Sequence, residues 1–184
     1  MSLLRTFLPS ATWLIPVPAG SRPHRPVLAD YPRTSIEKLR FADTDLNGHI
    51  SHAVFAVCCQ NARMELLRDH ASMSLPVRTH FAIARLELDF LGELSWPSDV
   101  AIGTRIDRLG RRSFTVGQGL FVDDICVGKA TSVVVLIDAA TRRALPLPAA
   151  TRQALTALVM PPLERPRFAR AALKQRLGWA GHLV

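Results

Sequence analysis

The chain has 184 residues, 48% hydrophobic and 21% charged, ordinary globular usage that excludes disorder over most of its length. That length suits one domain with a core needing no metal or disulfide staple, and no apolar run approaches the ~20 residues that span a bilayer. The formal charge of +8 is concentrated at the ends, since residues 1–29 and 165–184 contain no acid. These ends read as solvated termini and not as a specific nucleic-acid surface, because no helix-turn-helix or aromatic-interleaved basic motif accompanies them.

Residues 1–32 carry six prolines, a density that prevents helix and central strand, so they read as a Pro-rich N-terminal extension. The prolines also interrupt the apolar patch that a signal peptide would need. A domain is expected over 33–160, followed by a basic C-terminal tail over 161–184. Within the domain, 34–41 reads as a short strand with Ile36, Leu39 and Phe41 as its apolar residues. Asp43 to Gly48 is a loop by composition. Ser51 is placed to cap a helix in which Val54, Val57, Cys58, Ala62 and Leu66 recur at helical spacing. Phe55, Cys59 and Leu67 widen that apolar surface, so the helix is expected to be buried on most sides.

Residues 81–91 alternate, with Leu86, Leu88 and Phe90 on one face and Arg85, Glu87 and Asp89 on the other. Three further strands are expected over 100–108, 113–122 and 127–138, with turns at Gly110 and at Asp123-Asp124. The run from Val133 to Ile137 reads as buried on both sides, and 149–159 as a short terminal helix stopped by Pro161-Pro162. Strand, long helix and a four-strand antiparallel meander make a two-layer α+β domain whose five-stranded sheet wraps the helix.

The segment Asp43-Thr44-Asp45-Leu46-Asn47-Gly48-His49-Ile50-Ser51-His52 places two carboxylates, an amide and two imidazoles just before that helix. It mimics the start of an EF-hand loop, but Val54 stands where the bidentate Glu should close the shell, so calcium is rejected. His49 and His52 have no third soft ligand nearby, which argues against zinc. Cys58, Cys59 and Cys126 are an odd set without C-x-x-C spacing, which suits a reducing, cytoplasmic compartment; Cys58 and Cys59, on the apolar helix face, read as small core residues, and Cys126 falls in an expected hairpin.

This segment resembles the D-T-D-x-x-G-H-[VI]-N-N motif of hotdog-fold thioesterases, in particular the 4-hydroxybenzoyl-CoA thioesterase-like family. The likeness continues through Ala53-Val54-Phe55, Ala62-Arg63, Leu88-Asp89-Phe90-Leu91, Leu109 to Phe114 and Leu136-Ile137-Asp138, covering roughly residues 34–148. Ser51 and His52 stand in place of the paired asparagines, and Gln60 and Asn61 where many relatives carry a helix glutamate. The resemblance implies an acyl-CoA thioesterase that needs no metal or organic cofactor and works as a homodimer or homotetramer. By position Asp45 matches the catalytic carboxylate, as nucleophile or general base. His49 matches a position that some members use in catalysis, and Asn47 completes a D-x-N-x-H pattern similar to that of the acyl-carrier-protein branch. Arg111 and Arg112, beside Gly110 and near Arg108, match basic positions that meet the phosphates of CoA. An acyl-carrier-protein thioesterase and a noncatalytic acyl-thioester-binding module are the alternatives.

The physical chemistry agrees. Thioester hydrolysis builds negative charge on the carbonyl oxygen, and the free N–H groups of a helix start are oriented to receive it.

Overall fold

A computed structural model describes residues 26–68, 73 and 75–161; the outer parts of both termini lie outside the described residues. Among the described residues, five strands and two α-helices follow in the order β1 (Arg33–Lys38), α1 (His52–Arg68), β2 (Thr79–Phe90), β3 (Asp99–Leu109), β4 (Ser113–Val122), β5 (Ile125–Asp138) and α2 (Ala149–Thr156). The strands form one antiparallel sheet in the order β1-β3-β4-β5-β2, with α1 against its inner face. This is the hotdog architecture.

The meander is shorter than the alternation implied. Only β3, β4 and β5 are consecutive neighbours; β2 pairs with β5 at the far edge, and residues 91–98 carry the chain across the sheet to β3. Period-2 alternation tells which face a residue occupies but not which strand lies beside it. The first strand also ends early. Phe41 opens a 3-10 turn, Phe41–Asp43, and stands 70% exposed, because the Asp43 carboxylate reaches back to the Arg40 N–H (2.8 Å) and turns the chain out of the sheet. In β5, Val134 and Leu136 are buried but Val133 and Val135 are only half-buried, so one face of that run is less covered than its composition suggested. The terminal helix stops at Thr156, before the expected 159.

Helix α1 divides the core into two clusters. Its first half presents Phe55, Cys58, Cys59 and Ala62 to Val100, Ile102, Leu120 and Ala130. Its second half sets Leu66 and Leu67 against Phe114, Val116, Val134 and Leu136, a cluster completed by Leu147 and by Leu155 of α2. Arg152 of α2 donates to the Gly110 carbonyl (2.7 Å), and the Ile106 amide donates to the Leu158 carbonyl (2.9 Å), fixing α2 over the β3–β4 hairpin end.

The outer face is sealed over β3 and β4 by the chain preceding β1. Tyr31 is buried edge-on against Phe121 (5.7 Å between centroids), under the Arg105 guanidinium at 5.5 Å. Arg105 in turn lies 2.8 Å from the Asp107 carboxylate. Burial raises the Tyr31 phenol's pKa well above its ordinary value, so the ring stays neutral. A methyl group on Gly103 would overlap that ring. Gly103→Ala is therefore expected to cost about 1–3 kcal/mol, read by thermal denaturation. In a Tyr31→Ala background the same substitution should cost almost nothing further, since the two positions are coupled through direct overlap.

Candidate active site

The motif loop is anchored at both ends by core side chains, Leu39 before it and Ile50 after it. Between them the backbone forms a tight hairpin. The Asp45 amide donates to the His49 carbonyl (2.7 Å), the Gly48 amide to the Asp45 carbonyl (3.1 Å), and Thr44 bridges Ile50. Gly48 has φ of +79°, the left-handed region that glycine enters without penalty, which explains its place in the turn.

Asp45 is exposed on this hairpin, yet its carboxylate is fixed. Oδ1 accepts from the backbone N–H of Asn47 (2.8 Å) and of His49 (3.1 Å). These bonds, that from Asn47 foremost, hold its pKa below the usual carboxylate value, so the side chain is an anion at any physiological pH. Asp43, the first carboxylate of the motif, faces the other way. It is buried and takes a side-on ion pair from Arg40 (2.7 Å), which lowers its pKa too and gives it a structural task.

From the hairpin the chain enters α1 directly. The Ser51 amide donates to the Asp43 carbonyl (2.9 Å), and the Ser51 carbonyl accepts from the Val54 amide (2.9 Å), so Ser51 occupies the cap position of the expected helix start. No acidic side chain lies in the helix's first turn, so no carboxylate of the helix itself offsets the positive end of its dipole. Asp45, Asn47 and His49 are thus gathered on one short hairpin at one helix start.

Two contacts here escaped sequence reasoning. His49 Nε2 lies 3.4 Å from the Glu93 carboxylate, because Ile50 bonds the Leu94 carbonyl (2.8 Å) and His49 bridges Ser95. His52 stacks edge-on against Phe90 (4.4 Å), which also meets Phe55 (5.1 Å), so the end of β2 borders the helix start. Neither carries a local signal; both come from segments more than 30 residues apart. Cys58 and Cys59 are buried on the core face of α1, where burial pushes their thiols up to about 11 and about 12, against a nucleophilic role.

Arg111 and Arg112 are not brought to this site within one chain. The loop abuts the start of β3, where Leu39 bonds the Ser98 carbonyl (3.2 Å). The two arginines follow the other end of that strand, 11 residues on, or roughly 35 Å at ordinary strand rise. A cleft of about 190 Å³ beside Leu28 and Phe121, and one of about 110 Å³ between β1 and α1, are lined by no residue of the loop. The site lies open on the surface of the single chain.

The model of the thioesterase-like superfamily matches residues 39–155, from the residue before the motif loop into α2. The chain belongs to the thioesterase-like superfamily. Among solved structures, this superfamily member is similar to a predicted thioesterase from Bacillus stearothermophilus, at 28% identity over 70% of this chain and 97% of that one, with a TM-score of 0.63. It is also similar to a thioesterase from Thermus thermophilus complexed with coenzyme A and Zn, at 28% identity over 73% and 98% of the two chains, TM-score 0.61. The PA5185 protein of Pseudomonas aeruginosa shares the fold, at 21% identity over 73% and 96%, TM-score 0.68. No curated protein matches the chain. No helix among the described residues is long and apolar enough to cross a membrane.

Proposed function

We propose that this superfamily member hydrolyses an acyl-CoA thioester to free acid and thiol, with Asp45 as the reacting carboxylate. The observation that carries this reading is an ionised carboxylate pinned by two backbone N–H groups on a hairpin that leads straight into an uncompensated helix start. The substrate carbonyl lies against the first N–H groups of α1, which take up charge as its carbon becomes tetrahedral. Asp45 then attacks that carbon, giving an anhydride that water opens, or removes a proton from the water that attacks. Either route adds one water across the C–S bond, and in this reading His49, which lies beside Glu93, returns the proton to the leaving thiolate. Asn47 shapes the hairpin that presents Asp45. The three cysteines are buried thiols, which suits a reducing, cytoplasmic setting.

The working unit in this reading is a homodimer. β2 is a 12-residue strand at the sheet edge, paired on one side only, and Ile83, Leu86 and Phe90 on its inner face stand exposed. Such an edge invites a second strand. Antiparallel pairing with a second copy reverses the sheet's direction, and so brings that copy's β3–β4 hairpin to the end where this chain's Asp45 lies. Arg111 and Arg112 of the second copy then become the candidates for CoA phosphates.

The test uses two thioesters of one acyl group, on CoA and on N-acetylcysteamine, which lacks the nucleotide. Replacing Arg111 and Arg112 together with alanine is expected to raise KM for acyl-CoA about tenfold or more, leaving the short thioester unchanged. An equal effect on both substrates would remove the phosphate role.

A further inference from the structure

We propose that the acid-free segment 1–25 of this chain docks on the outer face of the sheet, in the cleft between Leu28 and Phe121, with Arg22 and Arg25 against the carboxylates on its rim.

The cleft, of about 190 Å³, has an apolar floor and an acidic rim. Ile36 of β1, Ala101 of β3 and Phe121 of β4 are register partners in one row across three strands, and Leu28 lines the same space. Ile36 is 67% exposed, so this row still offers apolar area to a further segment. The rim is Asp99, at the start of β3, with Asp123 and Asp124, at the turn between β4 and β5. Lys38 stands opposite Asp99 in the register, yet among the described residues none of these three carboxylates takes a hydrogen bond or an ion pair. An apolar floor beside such acids fits an occupant with apolar and basic residues and no acid of its own.

The segment before Pro26 has that composition. Residues 1–25 contain Arg5, Arg22 and Arg25, no acid, and the apolar run Trp13-Leu14-Ile15. The course of the chain also leads there. Read backwards from β1, Tyr31 overlies Gly103 and Gly119, and Leu28 reaches the next row, beside Ala101 and Phe121. Pro26, two residues further, is still buried. Arg25 and Arg22 then follow within roughly 20 Å of extended chain from Leu28, close enough to meet the rim. The residues between Ile15 and Arg22 span up to roughly 25 Å, ample to fold back over three strands that are about 10 Å across. Such a tether sets a local concentration of roughly millimolar, so individually weak contacts suffice. The basic C-terminal segment is less well placed. Val159 and Met160 release it beside Ile106, roughly 17 Å along β3 from Ala101.

The test is disulfide trapping in the full chain, whose three native thiols are buried. Thr12→Cys, beside Trp13, is combined with Ile36→Cys on the cleft floor, and separately with Asp89→Cys. Asp89 is exposed, opposite Lys129 and two strands from β4, so the same tether can reach it. Under mild oxidation the bond between positions 12 and 36 is expected to form about tenfold or more faster than that between 12 and 89. Asp123→Asn with Asp124→Asn removes rim charge and should erase most of that advantage. Asparagine suits the left-handed turn these residues occupy, with φ of 48° and 61°. Arg22→Glu with Arg25→Glu, which leaves the domain's own residues untouched, should erase it as well. Equal rates for the two pairs, or an advantage indifferent to both sets of charge changes, would overturn the inference. A bond formed between molecules and not within one, read by mass under non-reducing conditions, would give the cleft to a second copy and overturn it too.

Discussion

Asp45→Asn is expected to lower kcat for thioester hydrolysis by about 10³-fold or more, the range for removing a general base or nucleophile, with the fold unchanged. The substitution is informative because it keeps the architecture. An amide oxygen still accepts from the Asn47 and His49 N–H groups that now bond Oδ1, so the hairpin and helix start remain in place while the negative charge is lost. Circular dichroism and the melting temperature should match wild type as the rate collapses. The pH profile gives a second check. Because those backbone bonds lower the pKa of Asp45, its anion persists as pH falls into the usual carboxylate range, and the acid limb set by Asp45 should lie below that of an ordinary aspartate. An acid limb centred near neutrality would assign that limb to another group.

The second large effect concerns stability. Arg63, on the core side of α1, is only 4% exposed. Its Nη1 donates to the Cys59 carbonyl (3.3 Å), to Gln118 Oε1 of β4 (3.2 Å) and to Ser132 Oγ of β5 (3.0 Å). Gln118 returns its amide to the same Cys59 carbonyl (2.9 Å) and to Thr104 of β3 (3.2 Å). One guanidinium thus ties the middle of the helix to β4 and β5. Burial lowers the pKa of this guanidinium. Arg63→Ala removes the donor and leaves Gln118 Oε1 and Ser132 Oγ without it beside a cavity; each unsatisfied group costs about 1–3 kcal/mol, and the total is expected near 3–5 kcal/mol. For a chain of this size that lowers the melting temperature by about 10 °C or more. Arg63→Met, which refills the volume but not the bonds, should recover part of the loss. An unchanged melting temperature in the alanine variant would show that the network carries no net stability.

How much of this was open to a reading of residues alone follows from what each signal encodes. The helix was legible from Val54 to Leu66 because helical spacing is local, and the loop from Asp43 to Gly48 because its composition admits little else. The gathering of Asp45, Asn47 and His49 followed, since they lie within five residues. The place of β2 was not legible: its alternation is the same whether it pairs with β3 or β5, and pairing is decided by contacts far apart in sequence. Phe41 misled for the opposite reason, a local one. Its apolar character suits a strand, but Asp43 two residues on captures the Arg40 amide and turns the chain; the spacing of Arg40 and Asp43 is the available sign. Arg63 sits in an apolar helix face where only the partners on β4 and β5 explain it. The distance between Arg111 and Asp45 in one chain follows from strand length and topology together, and a motif comparison contains neither.

The measurement that tests the central claim most directly is the initial rate of free-thiol release from a panel of short, long and aromatic acyl-CoAs, using the full chain and its Asp45→Asn variant. The account predicts turnover on at least one member, with equimolar free acid, and its loss in the variant. A correctly folded wild type that releases no thiol from any member, or a variant as fast as wild type, would contradict it.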